Sequence, residues 1–357
     1  MKRILCFIDS LISGGAQRQH VGMAKLLHDE GYEVKVIYYH PIDFYKPFLD
    51  ENGIPNECIA GAADIKRRIP LIAKSIKKFQ PDIVISYLDT PNIISCFIKM
   101  FGGKFKLITS ERNTTQALTK KERLKFYMMR WTDHIVPNSQ SQEQFIRRCY
   151  PNLCSKLTTI TNFVDTDVFV PTNNQSNNLG NRIVVVGRVA EQKNTLRFIK
   201  SIYLLREQGL MFHIDWYGYH MEDYYQKCNC LLEEYHLNDI FRFKTPTTDI
   251  SHEYQTCDLF CLPSIYEGFP NVVCEAMSCG KPILCSDICD NAKIIEDGKN
   301  GFLFNPNSTD DMVDKLSRFL QLSNAEKLAM GHRSRELALQ KFSAKAFVDK
   351  YIKLIEE

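Results

Sequence analysis

Short apolar runs bounded by turn residues recur along the first half of the chain: Ile4 to Ile8, Val34 to Tyr39, Ile83 to Tyr87, Leu107 to Thr109, Ile135-Val136 and Leu157 to Ile160. Longer amphipathic stretches separate them. That alternation predicts a parallel sheet flanked by helices. The pattern begins again after a polar, Asn-rich segment, with Ile183 to Val186, Phe212 to Tyr217, Phe241 to Phe243, Leu259 to Leu262, Ile283 to Cys285 and Phe302 to Phe304.

The restart divides the chain. Residues 172–181 read as a linker, with one Rossmann-like domain over 1–171 and a second over 182–343. A chain of 357 residues exceeds what one core usually holds, which agrees with two domains. In open sheets of this kind ligands bind beyond the carboxyl ends of the strands, so an α/β protein of two facing domains is expected to carry its site in the cleft between them.

Composition narrows the classes of function. With 44% hydrophobic and 24% charged residues the chain is an ordinary folded protein rather than a disordered one. Its net charge of +3 hides an asymmetry: residues 1–175 hold 24 Lys and Arg against 17 Asp and Glu, while the remainder holds 21 against 25. The first half is therefore expected to face an acidic partner, such as an anionic membrane surface or a lipid-linked diphosphate. Nucleic acid is not expected, because the basic residues are scattered and accompany no binding motif.

The 13 cysteines lie mostly within apolar runs and read as reduced packing residues of a cytoplasmic protein. The close pairs Cys228/Cys230, Cys257/Cys261 and Cys285/Cys289 lack zinc spacing, so no metal is expected. Asp9 cuts short the apolar start, which therefore reads as a first buried strand rather than a signal peptide. The stretch Ile93 to Phe101, interrupted by Lys99, falls far below the ~20 residues that a spanning helix needs. Any membrane contact is expected to be peripheral.

The densest candidate chemistry is Glu267-Gly268-Phe269-Pro270-Asn271-Val272-Val273-Cys274-Glu275, two carboxylates around a tight turn that follows the strand Leu259 to Leu262 and leads into a helix. Pro270 suits the first turn of that helix. The unpaired amides there, those of Phe269 and Asn271 among them, are placed to receive phosphate or sugar oxygens. Gly187 and Arg188 follow the first strand of the second half, with Lys193 close behind. Gly14 and Gly15 stand between the first strand and a helix expected to begin near Gln17, where the missing Cβ lets backbone approach a ligand closely. The three spaced glycines of a dinucleotide site are missing, which argues against an NAD enzyme.

Together these features resemble the retaining glycosyltransferases of family 4, which have the GT-B fold and an EGFP-type signature with two Glu residues eight apart. The likeness covers nearly the whole chain and includes Ser13-Gly14-Gly15-Ala16, Asn162 to Phe169, Gly187-Arg188-Val189 with Lys193, and Glu267 to Glu275. The resemblance implies that Glu275 binds the ribose hydroxyls, that Glu267 lies beside the donor sugar, and that a last helix over about 344–357 packs back on the first domain. Carboxylates suit hydroxyls rather than phosphate, through charge-assisted bonds worth about 1.5 to 3 kcal/mol each. Arg188 and Lys193 are the fixed cations expected to stabilise the departing diphosphate. Many relatives carry a His at the end of a first-domain strand. Here the stretch is Thr109-Ser110-Glu111-Arg112-Asn113, so Glu111, Arg112 and Asn113 become the candidate sugar or acceptor contacts, or else Glu111 and Arg112 pair with each other.

The expected activity is metal-independent transfer of a sugar from a nucleotide diphosphate donor, with UDP favoured, to a glycan or polyprenyl-diphosphate-linked saccharide, with retention. The stretch Lys120 to Trp131, with Lys66-Arg67-Arg68, offers a basic and aromatic face for an anionic membrane, or an ordinary helix packed on the sheet. Two rival readings are a nucleotide-sugar 2-epimerase and a noncatalytic sugar-nucleotide-binding subunit.

Overall fold

The computed structural model describes residues 1–112, 115, 118–172 and 181–357. Asn113, a candidate contact, lies outside the described residues, as does most of the expected linker. The chain forms two compact units, Met1–Phe163 with Ala344–Glu357, and Val164–Ser343.

The first unit runs β1 (Arg3–Phe7), α1 (Gly15–Asp29), β2 (Glu33–Tyr38), α2 (Lys46–Glu51), β3 (Asn56–Cys58), α3 (Ile65–Phe79), β4 (Ile83–Tyr87), α4 (Asp89–Met100), β5 (Lys106–Glu111), α5 (Lys120–Met128), β6 (His134–Pro137) and α6 (Gln140–Cys149). The second runs β7 (Arg182–Val186), α7 (Thr195–Glu207), β8 (His213–Tyr217), α8 (Glu222–Glu234), β9 (Phe241–Lys244), α9 (Ile250–Thr256), β10 (Leu259–Leu262), α10 (Asn271–Ser278), β11 (Ile283–Ser286), α11 (Asn291–Ile294), β12 (Gly301–Phe304), α12 (Thr309–Leu320) and α13 (Asn324–Phe342). The last helix, α14 (Ala344–Glu356), belongs to the first unit.

Each unit holds one six-stranded parallel sheet, ordered β3-β2-β1-β4-β5-β6 and β12-β11-β10-β7-β8-β9. Read from opposite ends, these are one topology, the doubly wound order whose strand sequence reverses beside the first strand. Parallel strands so covered are buried on both faces, which accounts for the continuous apolar runs. Ile4, Cys6 and Ile8 face one core with Val34 and Val36, while Leu5 and Phe7 face another with Ile37, Val84 and Leu107. Phe347, Tyr351 and Leu354 of α14 fill the first of these cores. Each such buried side chain contributes about 1.5 to 3 kcal/mol.

Three expectations are corrected. Leu157 to Ile160 is not a strand; it makes a single bridge at Ile135 and one further backbone bond, from the Ile160 amide to the Pro137 carbonyl at 3.1 Å, enough to bury Ile160 without extending the sheet. The short strand β3 was not expected, because its three half-buried residues at the sheet edge carry no apolar run. Residues 164–171, expected to close the first domain, pack in the second unit. The Val164 amide donates to the Phe342 carbonyl at 2.8 Å, and the Phe169 carbonyl accepts from Ser278 Oγ at 2.6 Å and Arg335 at 2.8 Å. Among the described residues no helix is long and apolar enough to cross a membrane.

Candidate functional site

In the second sheet the strand order reverses between β7 and β10, which are paired neighbours. Their carboxyl ends therefore bring together two segments about 75 residues apart in sequence, Gly187 to Lys193 and Ser264 to Asn271. Two bonds tie the segments: the Ile265 amide donates to the Gln192 carbonyl at 2.8 Å, and Gln192 Nε2 donates to the Tyr266 carbonyl at 2.9 Å.

Gly187 is fixed from two sides. Its amide donates to Tyr217, and its carbonyl accepts from Trp216 Nε1 at 2.8 Å. A Cβ on Gly187 would come within 2.9 Å of Lys193 Cε, so the missing side chain gives the lysine stem its path across the strand end. A Cβ on Gly218 would meet the Gly187 carbonyl at 2.1 Å, so only glycine fits there. Tyr219, the next residue, points outward at 73% exposure.

Lys193 closes a short 3-10 turn, and its Nζ lies 2.5 Å from Glu267 Oε1, which also accepts from Ser264 Oγ at 2.6 Å. Two candidates expected to meet different parts of a ligand thus hold each other. Arg188 is exposed, and no ion pair or hydrogen bond holds its guanidinium among the described residues.

The turn Gly268-Phe269-Pro270 leads into α10 as expected, with an adjustment: Pro270 is the N-cap, and its carbonyl accepts from Val273 and Cys274. The Asn271 amide is already bonded to the Phe269 carbonyl at 3.0 Å. The amides with no acceptor among the described residues are those of Gly268, Phe269 and Val272. Phe269 itself is buried against Phe342 and anchors the turn. Glu275 sits in the second turn of the helix, only 3% exposed, and accepts from Tyr254 Oη at 3.2 Å.

In the first unit Gly14 caps α1, which begins at Gly15 rather than near Gln17. Glu111 and Arg112 do not pair with each other. Glu111, at the end of β5, bonds to Lys125 Nζ at 2.6 Å and Asn92 Nδ2 at 3.2 Å, and Lys125 reaches Asp89 at 3.0 Å. Burial raises the Glu111 pKa against the pull of Lys125; burial works to lower that of Lys125, and Glu111 and Asp89 more than offset it. Arg112 lies over the Tyr87 ring, donating to Asn162 Oδ1 at 2.6 Å, to Tyr351 Oη at 2.9 Å and to the Tyr87 hydroxyl. Beside it His20 is fully buried, and burial and then Arg112 push its pKa down to about 3 against a weaker opposing pull from the Cys6 backbone.

Sequence reasoning missed Gly218, Trp216, Gln192, Ser264 and Tyr254 as supports of the site. Ser264 alone carried a signal, its place at a strand end. The others become visible only when the strands are paired.

Residues 13–168 match the family described as Glycosyltransferase Family 4, and residues 170–337 match Glycosyl transferases group 1. The chain is 26% identical over 337 residues to the UDP-Gal:alpha-D-GlcNAc-diphosphoundecaprenol alpha-1,3-galactosyltransferase of Escherichia coli, covering 85% of this chain and 84% of that one. It is 23% identical over 373 residues to the N-acetylgalactosamine-N,N'-diacetylbacillosaminyl-diphospho-undecaprenol 4-alpha-N-acetylgalactosaminyltransferase of Campylobacter jejuni, covering 97% and 96%. Among solved structures, Anabaena HepE in complex with UDP superimposes with a TM-score of 0.87 at 18% identity over the full length of both chains. Sucrose-phosphate synthase from Thermosynechococcus elongatus gives 0.81 at 15% identity, covering 100% and 98%. These are GT-B folds, and the relatives are transferases; the epimerase and noncatalytic readings gain nothing from them. The two family matches meet at the middle of the chain and, with the two doubly wound sheets, identify it as a family 4 glycosyltransferase of the GT-B fold.

Proposed function

We propose that the chain transfers a hexosyl or N-acetylhexosaminyl residue from a UDP-sugar to a saccharide carried on polyprenyl diphosphate, with retention at the anomeric carbon. The observation that carries this reading is the convergence of Arg188, Lys193, Glu267 and the α10 amides at the switch point of one sheet. The full-length relatives named above support the acceptor class by their names, and HepE supports UDP by its complex. Arg188 and Lys193 then hold the diphosphate, with the free amides of Gly268, Phe269 and Val272 adding partial positive charge at the helix start. Glu275 receives the ribose hydroxyls and Glu267 the sugar hydroxyls. The diphosphate has to draw Lys193 away from Glu267 or share it, so donor binding frees the carboxylate for the sugar at the moment the ammonium is occupied. Gly187, Pro270 and Asn271 shape the turn, and Gly14 and Gly15 give a close backbone approach in the first unit.

In this reading the cations replace a metal, and turnover persists in EDTA. A lipid-linked acceptor makes the enzyme peripheral at the cytoplasmic face of a membrane. A thermal-shift titration with UDP, GDP, ADP and their sugars tests the donor site, since saturation to 100 times Kd stabilises the fold by about 2.7 kcal/mol. The expected result is stabilisation by the uridine compounds that Glu275→Ala loses. No shift with any nucleotide would overturn the donor assignment.

A further inference from the structure

The turn after β11, residues 287–290, stands beside the turn after β10 that carries Glu267, because the two strands are paired neighbours. It is tightly built: the Ile288 amide donates to the Ser286 carbonyl at 3.0 Å, the Asn291 amide to the Ile288 carbonyl at 2.9 Å, and Asn291 Nδ2 to the Ser286 carbonyl at 2.8 Å. Within it Cys289 has a φ of 48°, in the left-handed region that favours glycine. The other described non-glycine residues of the second unit with positive φ are Asn181, Asn194 and His236, types that tolerate this conformation. Cysteine has no such preference. Backbone strain of this kind persists where the surroundings over-determine it, and it gathers at functional sites.

The side chain makes a contact that glycine could not: Cys289 Sγ donates to the Glu267 carbonyl at 3.0 Å. The thiol is half-buried, and burial raises its pKa ahead of an opposing pull from the Glu267 backbone, with Asp290 and Glu267 adding to the rise. The proton needed for donation therefore stays on sulfur at neutral pH. The Glu267 carbonyl belongs to the same peptide unit as the Gly268 amide, one of those with no acceptor among the described residues. In a trans peptide, as here, the two groups point in opposite directions. Held by its carbonyl at Cys289, the unit turns its N–H away from the β11 turn, while Lys193 and Ser264 hold the Glu267 carboxylate. Glu267 is thereby fixed at both ends.

We propose that Cys289 is a positioning residue of the donor site, whose thiol aims the Gly268 amide at the diphosphate and steadies Glu267 beside the sugar. The inference rests on the donor assignment above and adds to it a side chain from the end of a third strand. Were the sulfur only packing, glycine would relieve the backbone and nothing in the donor site would change.

The test is calorimetric titration of UDP, and of UMP, which lacks the second phosphate, into the full chain and into Cys289→Gly, Cys289→Ser and Arg188→Ala. Glycine suits the backbone here and removes the donor. Cys289→Gly is therefore expected to keep its thermal transition and to weaken UDP by about fivefold, the net worth of one hydrogen bond, with UMP unchanged. Serine keeps a donor, so Cys289→Ser is expected to bind UDP within about twofold of the unaltered chain. Undiminished UDP binding in Cys289→Gly, a Cys289→Ser as weak as Cys289→Gly, or parallel losses of UDP and UMP with a lowered thermal transition would each overturn the proposal. Arg188→Ala is the control, expected to lose UDP and keep UMP. UDP binding that is sensitive to Arg188→Ala and indifferent to Cys289→Gly sinks the role of Cys289 alone, whereas no UDP binding by the unaltered chain sinks the donor assignment and this inference together.

Discussion

The carboxyl ends of the two sheets use charge in opposite ways. In the first unit Glu111 and Arg112 are buried and held by partners of the same unit, and His20 is buried uncharged beside them. In the second, Arg188 is exposed and unpaired among the described residues, while the Lys193 and Glu267 side chains keep 14% and 12% of their surface. A buried cation held by hydroxyl and amide oxygens is fixed in place, and its removal takes away the donor those groups share. A cation left in solvent contributes little to the fold and stays available to a ligand. The same residue type, arginine after a strand, is scaffolding in one unit and a candidate for chemistry in the other.

The widest separation between the two arginines is expected in activity. Arg188→Ala should reduce transfer by about 100- to 1,000-fold, the usual loss when a preorganised cationic or hydrogen-bonding group leaves a developing charge, with the melting temperature unchanged. Arg112→Ala should destabilise the fold by about 2 to 4 kcal/mol, because Asn162, Tyr87 and Tyr351 lose their shared donor. Steady-state kinetics and denaturant unfolding of both variants check this. A stable but inactive Arg112→Ala, or an unstable Arg188→Ala, would break the comparison.

Acid sharpens it further. With a folded pKa of about 3 against an ordinary 6.5, His20 is neutral in both states above pH 6.5. As pH falls below 6.5 the unfolded chain takes up a proton that the folded chain refuses, so stability drops, by about 2 kcal/mol between pH 6.5 and 5. In the second unit burial opposes the ionised forms of Asp215 and Glu253, but hydrogen bonds and charges from Arg182, Lys244 and Tyr217 outweigh it and hold both pKa values below normal. Their contribution is present above the ordinary carboxylate range and is lost only as pH falls through the lowered values. The first unit is therefore expected to lose stability first, and the slope between pH 6.5 and 5 should flatten in His20→Gln. An unchanged slope in that variant would remove His20 as the cause.

The same contrast governs what the sequence made legible. Continuous apolar runs announce strands covered on both faces, and all but two of the sheet assignments follow from them. The exceptions have physical reasons: β3 is too short and polar to make a run, and Leu157 to Ile160 runs alongside β6 with a single bridge, burying Ile160 without extending the ladder. The second-unit segments were legible because their residues cluster in sequence at two strand ends. That Lys193 meets Glu267 was not, since it depends on β7 lying beside β10. Buried partners such as Lys125 for Glu111 left no local mark either: the helix carrying Lys125 reads as basic surface, and only its packing shows one lysine turned inward.

The smallest expected effect concerns a residue that belongs to neither class. Tyr254 is fully buried, with its ring against Phe260 and Phe169 and its hydroxyl 3.2 Å from Glu275 Oε2. Its neighbour Glu253 is held by Arg182, which also reaches Asp215 at 2.9 Å, so the helix presenting the hydroxyl is anchored by ion pairs to β7 and β8. Tyr254→Phe keeps the ring contacts and deletes one donor, which a hydrogen bond to a charged group values at about 1.5 kcal/mol. If Glu275 binds the ribose, the loosened carboxylate should weaken UDP by about five- to tenfold while leaving turnover at saturating donor nearly unchanged. Calorimetric titration of UDP into Tyr254→Phe and Glu275→Gln separates the possibilities. Affinity lost in both variants makes Tyr254 the residue that aims the carboxylate. Affinity lost in Glu275→Gln alone reduces the hydroxyl to packing, and affinity kept in both moves the ribose away from α10 altogether.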